Sequence, residues 1–578
     1  MKITINDTTE EIQAAIDLGV IVEFEAGVYE NAHFRLTKPV HLIGNGAVLV
    51  GGTKITWREE NGLLVCDAPR GEPMRDLVVK GSLRMRARYP AEGYPTHETA
   101  FTVDWRPGDV PGSWVRTPTD AERREVRMEK GLLDGLTLHS AEATVVHSWS
   151  DSMVEVEHWD GEVLTLAKPC GYPVGSFGRR TFCIWNLPEA LTKEGTFYHD
   201  TKEGKLYYKP MVGESIETEA YFPLHDSIFF AEEPVHDIEI EGFTLTATSS
   251  THAMPTTGAL NIAGAINFTD VHGFYAHDLI IKAAGGHGIR NEGRLFQGDS
   301  SRAKITRCHF YDLGGGALCF GIRECDGSEV SDCLVHHTGR YHASAVGLSA
   351  WRMDVRHCEV HHTSYIGIQC NGDGVTVEKN YVHDVMQVLN DGAAIYSIKS
   401  RGGTFRRNLV CGVHPIKGHH LRIAYYLDQD SDGWLLEENV AVDCGFPLHK
   451  HMGGNHLVRN NIFTSERDML IDQLGGKWHC HYMDNLFSAV GKIIFRTAEG
   501  YIETFEDNCY HSVDGSIVHS VLDSANKIIG EKNLEVNESN AYIDEVRFSA
   551  EDRVFTVGEK MIDLRDIGVR EGPHTISY

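Results

Sequence analysis

The chain has 578 residues, 42% of them hydrophobic and 24% charged, an ordinary globular composition with ample material for a core, which argues against disorder. Its 54 Lys and Arg against 82 Asp and Glu give a formal charge of −28, which disfavours nucleic acid and acidic lipid surfaces as partners. A polyanionic polysaccharide is disfavoured on the same ground, unless a metal or a local arginine cluster intervenes. The first residues carry one Lys and no apolar signal core, and no run of about 18 apolar residues occurs, so a cytoplasmic protein that does not enter the membrane is expected. The thirteen cysteines are odd in number and none lies in a CxxC pair, so they are read as small buried fillers in a reducing compartment.

In chain order, Thr8-Thr9-Glu10-Glu11 followed by IQAAIDLG predicts a capped amphipathic helix ending at Gly19, placed to close the end of a sheet structure. Short apolar runs broken by Gly and Asn follow, so residues 1–53 read as the cap and first turns of a coil. From 54 to 224 the spacing is lost and longer β-like runs appear, which predicts an inserted β-rich domain. Within it, TPTDAERREVRMEKG is read as a polar helix.

From 225 to 515 a short unit recurs, anchored at Cys308, Cys333, Cys358, Asn380, Asn408, Asn439, Asn461, Asn485 and Asn508, with spacings between 22 and 31 residues. Self-similarity at that period marks a solenoid, whose repeats bury their apolar sides only by stacking. The fold class is therefore all-β, a parallel β-helix. Residues 516–578 are expected to pack along the coil or cap it. His336, His361 and His383 fall at one turn position of three rungs and are read as part of the repeat. The pairs His336-His337 and His361-His362 do not make an HxxxH or HExxH zinc spacing, so neither metal nor cofactor is expected.

A second strand in each rung can be aligned on Ile368, Ile395, Tyr425, Leu448 and Leu470. Three residues further on stand Asn371, Ile398, Asp428, His451 and Gln473, a column expected to face a groove along the coil. Asp428 follows Tyr425-Tyr426-Leu427 at a strand end, where a carboxylate can be desolvated and its pKa tuned. Asp391, in the turn signal Asn390-Asp391-Gly392, starts the preceding strand. A strict register would hold the two carboxylates about seven residues apart along the groove, at about 3.3 Å each, whereas bulges in these two longer rungs can bring them closer. His449 and His451 share one face of the next rung, and His420 and Arg422 belong to the longer segment before Asp428. Gly286-His287-Gly288 matches the GHG of polygalacturonases but lacks their acidic context and is read as chance.

AGVY at 26–29, WNLPEALTKEGTFYHDTKEGKLYYKP at 185–210, NDGAAIYS and AYYLDQDSDG together resemble the right-handed parallel β-helix glycoside hydrolases of family 141, over residues 20 to 510, and more distantly the family 120 β-xylosidases. The resemblance implies that Asp391 and Asp428 are the catalytic pair, Asp428 as nucleophile or base and Asp391 as acid. The acid of the xylosidase family falls at His451 here. Asn371, Asn390, His420, Arg422, Tyr426, Gln429, His449 and His451 are the expected substrate-binding residues. The expected activity is exo-acting, fucosidase- or xylosidase-like hydrolysis of neutral plant- or host-derived oligosaccharides in a bacterium, with a homo-oligomer left open. The alternatives are a polysaccharide lyase or a non-catalytic carbohydrate-binding β-helix.

Overall fold

The repeat anchors make the tightest turn of the coil. In the computed structural model, which describes residues 1–105, 114–250, 259–291, 300–413, 422–475, 479–513, 516–524, 526–533, 546–549, 554–557 and 560–570, the residue before every anchor is left-handed. These are Arg307, Asp332, His357, Lys379, Arg407, Glu438, Asn460, Asp484 and Asp507, with φ between 50° and 56°. That conformation costs a residue with a Cβ about 1–2 kcal/mol. The asparagine that follows each turn offsets the cost through a buried amide ladder. Asn380 Nδ2 donates to Asn408 Oδ1 at 3.0 Å, Asn408 to Asn439 at 3.0 Å and Asn439 to Asn461 at 3.0 Å. The ladder continues from Asn461 to Asn485 at 2.9 Å and from Asn485 to Asn508 at 2.9 Å. In the earlier rungs the column is filled by Cys308, Cys333 and Cys358, buried free thiols, and Cys358 N–H donates to Asn380 Oδ1 at 2.9 Å.

Three long sheets of 14, 14 and 13 strands, parallel throughout the coil, result, one strand per rung in each. The fold is a right-handed parallel β-helix. Its core is a set of inward columns such as Ile368, Ile395, Tyr425, Leu448, Ile471 and Phe495, all buried and in register from rung to rung. This corrects the expected alignment at one place: Leu448 pairs with Ile471, not Leu470, so Gln473 stands beside Lys450 rather than His451. Gln473 is fully buried and donates to Gly475 O at 2.8 Å.

The helix Thr9–Ile16 sits at the N-terminal end with its capping box closed: Glu11 N–H donates to Thr8 Oγ1 at 3.3 Å and Thr8 N–H to Glu11 Oε2 at 2.8 Å. The chain leaves the coil after the strand Gly52–Lys54, which pairs antiparallel with the returning strand Ala220–Pro223. Between them lie an eight-stranded and a six-stranded sheet. Inside this region burial opposes the charge of Glu142, but the guanidiniums of Arg75, at 2.6 Å, and of Arg86 hold its carboxyl down at about 2. The insert is fastened to the coil by polar contacts. Asp151 accepts from Ser344 N–H at 3.0 Å, Asp312 accepts from Leu83 N–H at 2.6 Å, and Arg179 donates to Val388 O at 2.8 Å.

The predicted polar helix of the insert is only one turn, Asp120–Arg124. Glu125–Arg127 is instead a strand, because buried Val126 pairs with Leu164 in a neighbouring strand. The 14-stranded sheet that holds Ile368–Asn371 also runs past residue 515, to Ile517–Leu522, which pairs parallel with Ile493–Ala498. The tail then returns along the outside, where Leu564 and Ile567 pack on Leu409, Val440 and Leu486. Arg570 reaches Asp332 at 2.9 Å.

The ladder gives a direct prediction. Replacing Asn439 by Leu strips buried partners from Asn408, Asn461 and Phe405 O. Each unsatisfied buried group costs about 1–3 kcal/mol, so chemical denaturation should show a loss of about 3 kcal/mol or more.

Candidate active site

Because strand side chains alternate, the same sheet that buries Ile395 and Tyr425 inward presents a second column outward. The register strings it together as Cys319, Ser349, Gln369, Tyr396, Tyr426, His449, Asp472, Arg496 and Ser520. Asp428 stands two residues beyond Tyr426. Its Oδ2 accepts from Tyr396 Oη at 2.6 Å, and its Oδ1 accepts from Gln429 N–H at 2.7 Å and lies 2.8 Å from His451 Nδ1. Burial opposes the charge, but the bonds from His451, Tyr396 and the Gln429 backbone outweigh it and hold Asp428 below the usual carboxylate range. Burial likewise works against a charged His451; its bond to Asp428 and the field of Asp391 outweigh it and raise the imidazole pKa.

Asp391 is treated in the opposite sense. Burial first, then the negative charge of Asp428, pushes its carboxyl up to about 7, with His451 pulling weakly the other way. Its backbone is left-handed, φ 58°, and its carbonyl accepts from Tyr365 Oη at 2.8 Å. The pairing from Gly392–Arg422 to Ser397–Leu427 keeps one register, with no bulge between these two strands. The two nonetheless act on common neighbours across the outer face of the sheet. Burial and then the charges of Asp391 and Asp428 together raise the Tyr426 hydroxyl pKa, and both carboxylates raise that of His451.

The other expected residues fall into three groups. His449 packs against Tyr426, ring centroids 4.6 Å apart, with Nδ1 3.5 Å from Asp472. Burial holds it neutral, with its pKa down at about 4. Asn390 is partly buried, and its N–H donates to Ser148 O of the insert at 3.4 Å, so the insert meets the site there. Arg422 is buried beside Gly392 in register; burial and the neighbouring Arg179 lower its pKa to about 10, still cationic at neutral pH. Asn371 is a correction: it is 2% exposed and its Oδ1 accepts from Ile398 N–H at 2.9 Å, so it braces the next strand end instead of facing the groove. His420 lies outside the described residues, as do His414 and His419. His287 of the GHG triplet is buried and bonds Ala259 O at 2.7 Å and Gly316 N–H at 2.9 Å, a structural role.

A cleft of about 210 Å³ adjoins the carboxylates. Ser349, Gln369, Tyr365 and Tyr396 of the coil form one side, and Trp149 and Tyr172 of the insert the other. The indole N–H of Trp149 donates to Tyr172 Oη at 3.2 Å, and Phe177 packs on Trp149 at 4.3 Å, so this aromatic wall is rigid. Tyr365, Tyr396, Trp149 and Tyr172 are absent from the sequence-derived site. Tyr396 was within reach of it, one residue beyond the inward Ile395. The insert aromatics had no such signal, since nothing in their spacing says which rung they meet.

Among the described residues, two groups outside this sheet could gather three metal ligands. Glu359, His361 and His383 form one, and His41, Glu239 and Glu241 the other. His361 and His383 stack with rings 4.6 Å apart and nearly parallel, on the sheet of the repeat anchors. His383 is also engaged by Asp384, at 2.8 Å from its Nδ1.

No family model matches the sequence, and no curated protein matches it either. Solved structures do. One described as "Glycoside hydrolase" superposes with a TM-score of 0.59 at 14% identity, covering 88% of this chain and 96% of that one. Another, "The complex structure of XylC with xylose", has a TM-score of 0.46 at 12% identity, covering 96% of this chain and 88% of that one. The first shares the parallel β-helix fold of this chain over nearly its whole length.

The opposed treatment of the two carboxylates has a consequence for stability. A carboxyl whose folded pKa is about 7, against about 4 unfolded, contributes no penalty below both values and an increasing one as pH rises between them. Asp391→Asn should therefore melt higher than the wild type at pH 8 by differential scanning fluorimetry. The gain should shrink as pH falls below 7 and vanish near pH 4.

Proposed function

We propose that the chain is a glycoside hydrolase, with Asp391 as the proton donor to the leaving oxygen and Asp428 as the nucleophile or the base that activates water. The observation that carries this reading is the split between two buried carboxyls that both act on His451 and Tyr426, one pushed up to about 7 and the other held below the usual carboxylate range. Glycosidic cleavage needs that pairing, because one group must give a proton while the other attacks or deprotonates. The fold shared with a solved glycoside hydrolase supports the class. An aromatic wall of Trp149 and Tyr172 over a small cleft suits stacking against a sugar ring at a chain end, and so exo action on an oligosaccharide of fucosidase or xylosidase type. Thirteen cysteines, an odd number with none in a CxxC pair, fit work inside a reducing cell, on imported oligosaccharides.

A screen of nitrophenyl fucosides, xylosides, arabinosides and galactosides tests the reading, run with Asp428→Asn and Asp391→Asn. On the best substrate Asp428→Asn should lose about 10³-fold or more in turnover. Asp391→Asn should lose about 10²–10⁴-fold on a sugar leaving group and far less on nitrophenol, which departs without a proton. Wild-type turnover by either variant on an oligosaccharide would remove that residue from the mechanism.

His451 is cast as the positioning residue that keeps Asp428 ionised. His451→Phe removes the 2.8 Å contact, so the acid limb of the pH–rate profile should move to higher pH. A purely structural role for His451 would lower the rate without moving that limb.

A further inference from the structure

The outward column does not end at the carboxylates. Past them, over the rungs from 422 to 531, a second and larger cleft of about 900 Å³ opens on the same sheet. Its floor is the outward row Leu470, Ile494 and Val518, which pair in register. Its walls carry four cationic side chains, Arg422, Arg467, Lys492 and Arg496, against two acidic ones, Asp468 and Glu531. In a chain with 82 acidic and 54 basic residues, that local excess of positive charge runs against the whole.

The cations are held in different ways. Arg496 is fixed by a two-point pair with Asp472, Nε to Oδ1 at 2.9 Å, and so belongs to the column that includes His449. Arg422 is buried at the site's edge, in register with the residue after Asp391. Lys492 and Arg467 are exposed at the rim. Arg467 lies 3.7 Å from Asp443, and Lys492 makes no ion pair among the described residues. The Asp468 carboxylate is partly spent, accepting from Lys492 N–H at 2.9 Å.

The two clefts thus flank the carboxylates along one sheet: a small aromatic one over rungs up to Tyr396, and a large cationic one from Arg422 onward. Strands in a sheet are spaced by about 4.8 Å, so a bound oligosaccharide can lie in both. We propose that the second cleft is a subsite for an acidic sugar, so that the enzyme cleaves a glycosidic bond in an oligosaccharide bearing a carboxylate or sulfate on the far side of that bond. This rests on the hydrolase reading for its meaning, though not for its test. Apolar floor and cationic rim together fit a sugar acid, whose ring faces are apolar and whose charged group reaches outward. The general acidity of the chain then serves to repel polyanions everywhere except at this opening.

The test is binding, measured by calorimetry on Asp428→Asn at low salt, which needs no turnover and so is read independently of whether any glycoside is cleaved. The probes are a glucuronosyl xylotriose against xylotriose, trigalacturonate against galactotriose, and sulfated against unsulfated galactobiose. At least one acidic member should bind tighter than its neutral counterpart by about tenfold or more, as expected for charge-assisted hydrogen bonds. Which pair shows the preference separates carboxylate from sulfate. Adding Arg467→Ala and Lys492→Ala, both exposed, should bring the preference to within about twofold, with the melting temperature reporting that the fold is kept. Equal binding within all three pairs, or a preference that survives the double substitution, overturns the proposal. The hydrolase reading stands or falls separately, on the nitrophenyl screen.

Discussion

The tight turn before each asparagine is the constraint on which the rest of the molecule depends. A left-handed residue that is not glycine is unfavourable alone, and here it recurs before every repeat anchor. At the asparagine anchors it persists because the asparagine joins a continuous buried amide ladder, in which an Asn donates both to a carbonyl of the preceding rung and to the next Asn. The ladder fixes the stacking register, and the register fixes everything on the neighbouring sheets. A slip by one residue would turn Tyr396, Tyr426 and His449 into the core and Ile395, Tyr425 and Leu448 into the groove.

From that register the site follows with little further specification. One outward column supplies the Tyr396 hydroxyl that bonds Asp428, Tyr426, whose hydroxyl feels both carboxylates, and the His449–Asp472–Arg496 series beyond. Rungs differ in length where the chemistry sits, but the strands stay in step, so extra residues are displaced into the connecting segments. The insert is then positioned by backbone contacts to those rungs, and it brings Trp149 and Tyr172 to one side of the cleft.

The sequence reveals the coil because its ladder is chemical: Asn or Cys must recur where a buried amide or a small filler is required. Asp428 is legible for a related reason, as a carboxylate at a strand end, one residue beyond the pair Tyr425-Tyr426. The left-handed positions are not legible, since Arg, Asp, His, Lys and Glu occupy them and only the geometry of the turn marks them. Nor is the short strand Glu125–Arg127, where pairing of Val126 overrides a helical charge pattern. The register near Leu470 is misread by one residue because two adjacent apolar side chains, Leu470 and Ile471, compete for the inward place. Aromatic residues of the insert reach the site only through tertiary contact, which no local pattern carries.

The two carboxyls illustrate how one buried site creates opposite protonation states. Burial raises the cost of charge on both Asp391 and Asp428. What separates them is the supply of donors: Asp428 receives bonds from a tyrosine hydroxyl and a backbone N–H and lies against a histidine, whereas His451 reaches Asp391 only through its field. Once Asp428 is ionised, its charge adds to the burial of Asp391 and keeps that group protonated. The asymmetry is thus self-reinforcing: strengthening the bonds to one carboxylate sharpens the acidity needed of the other, and a single histidine one rung away governs both.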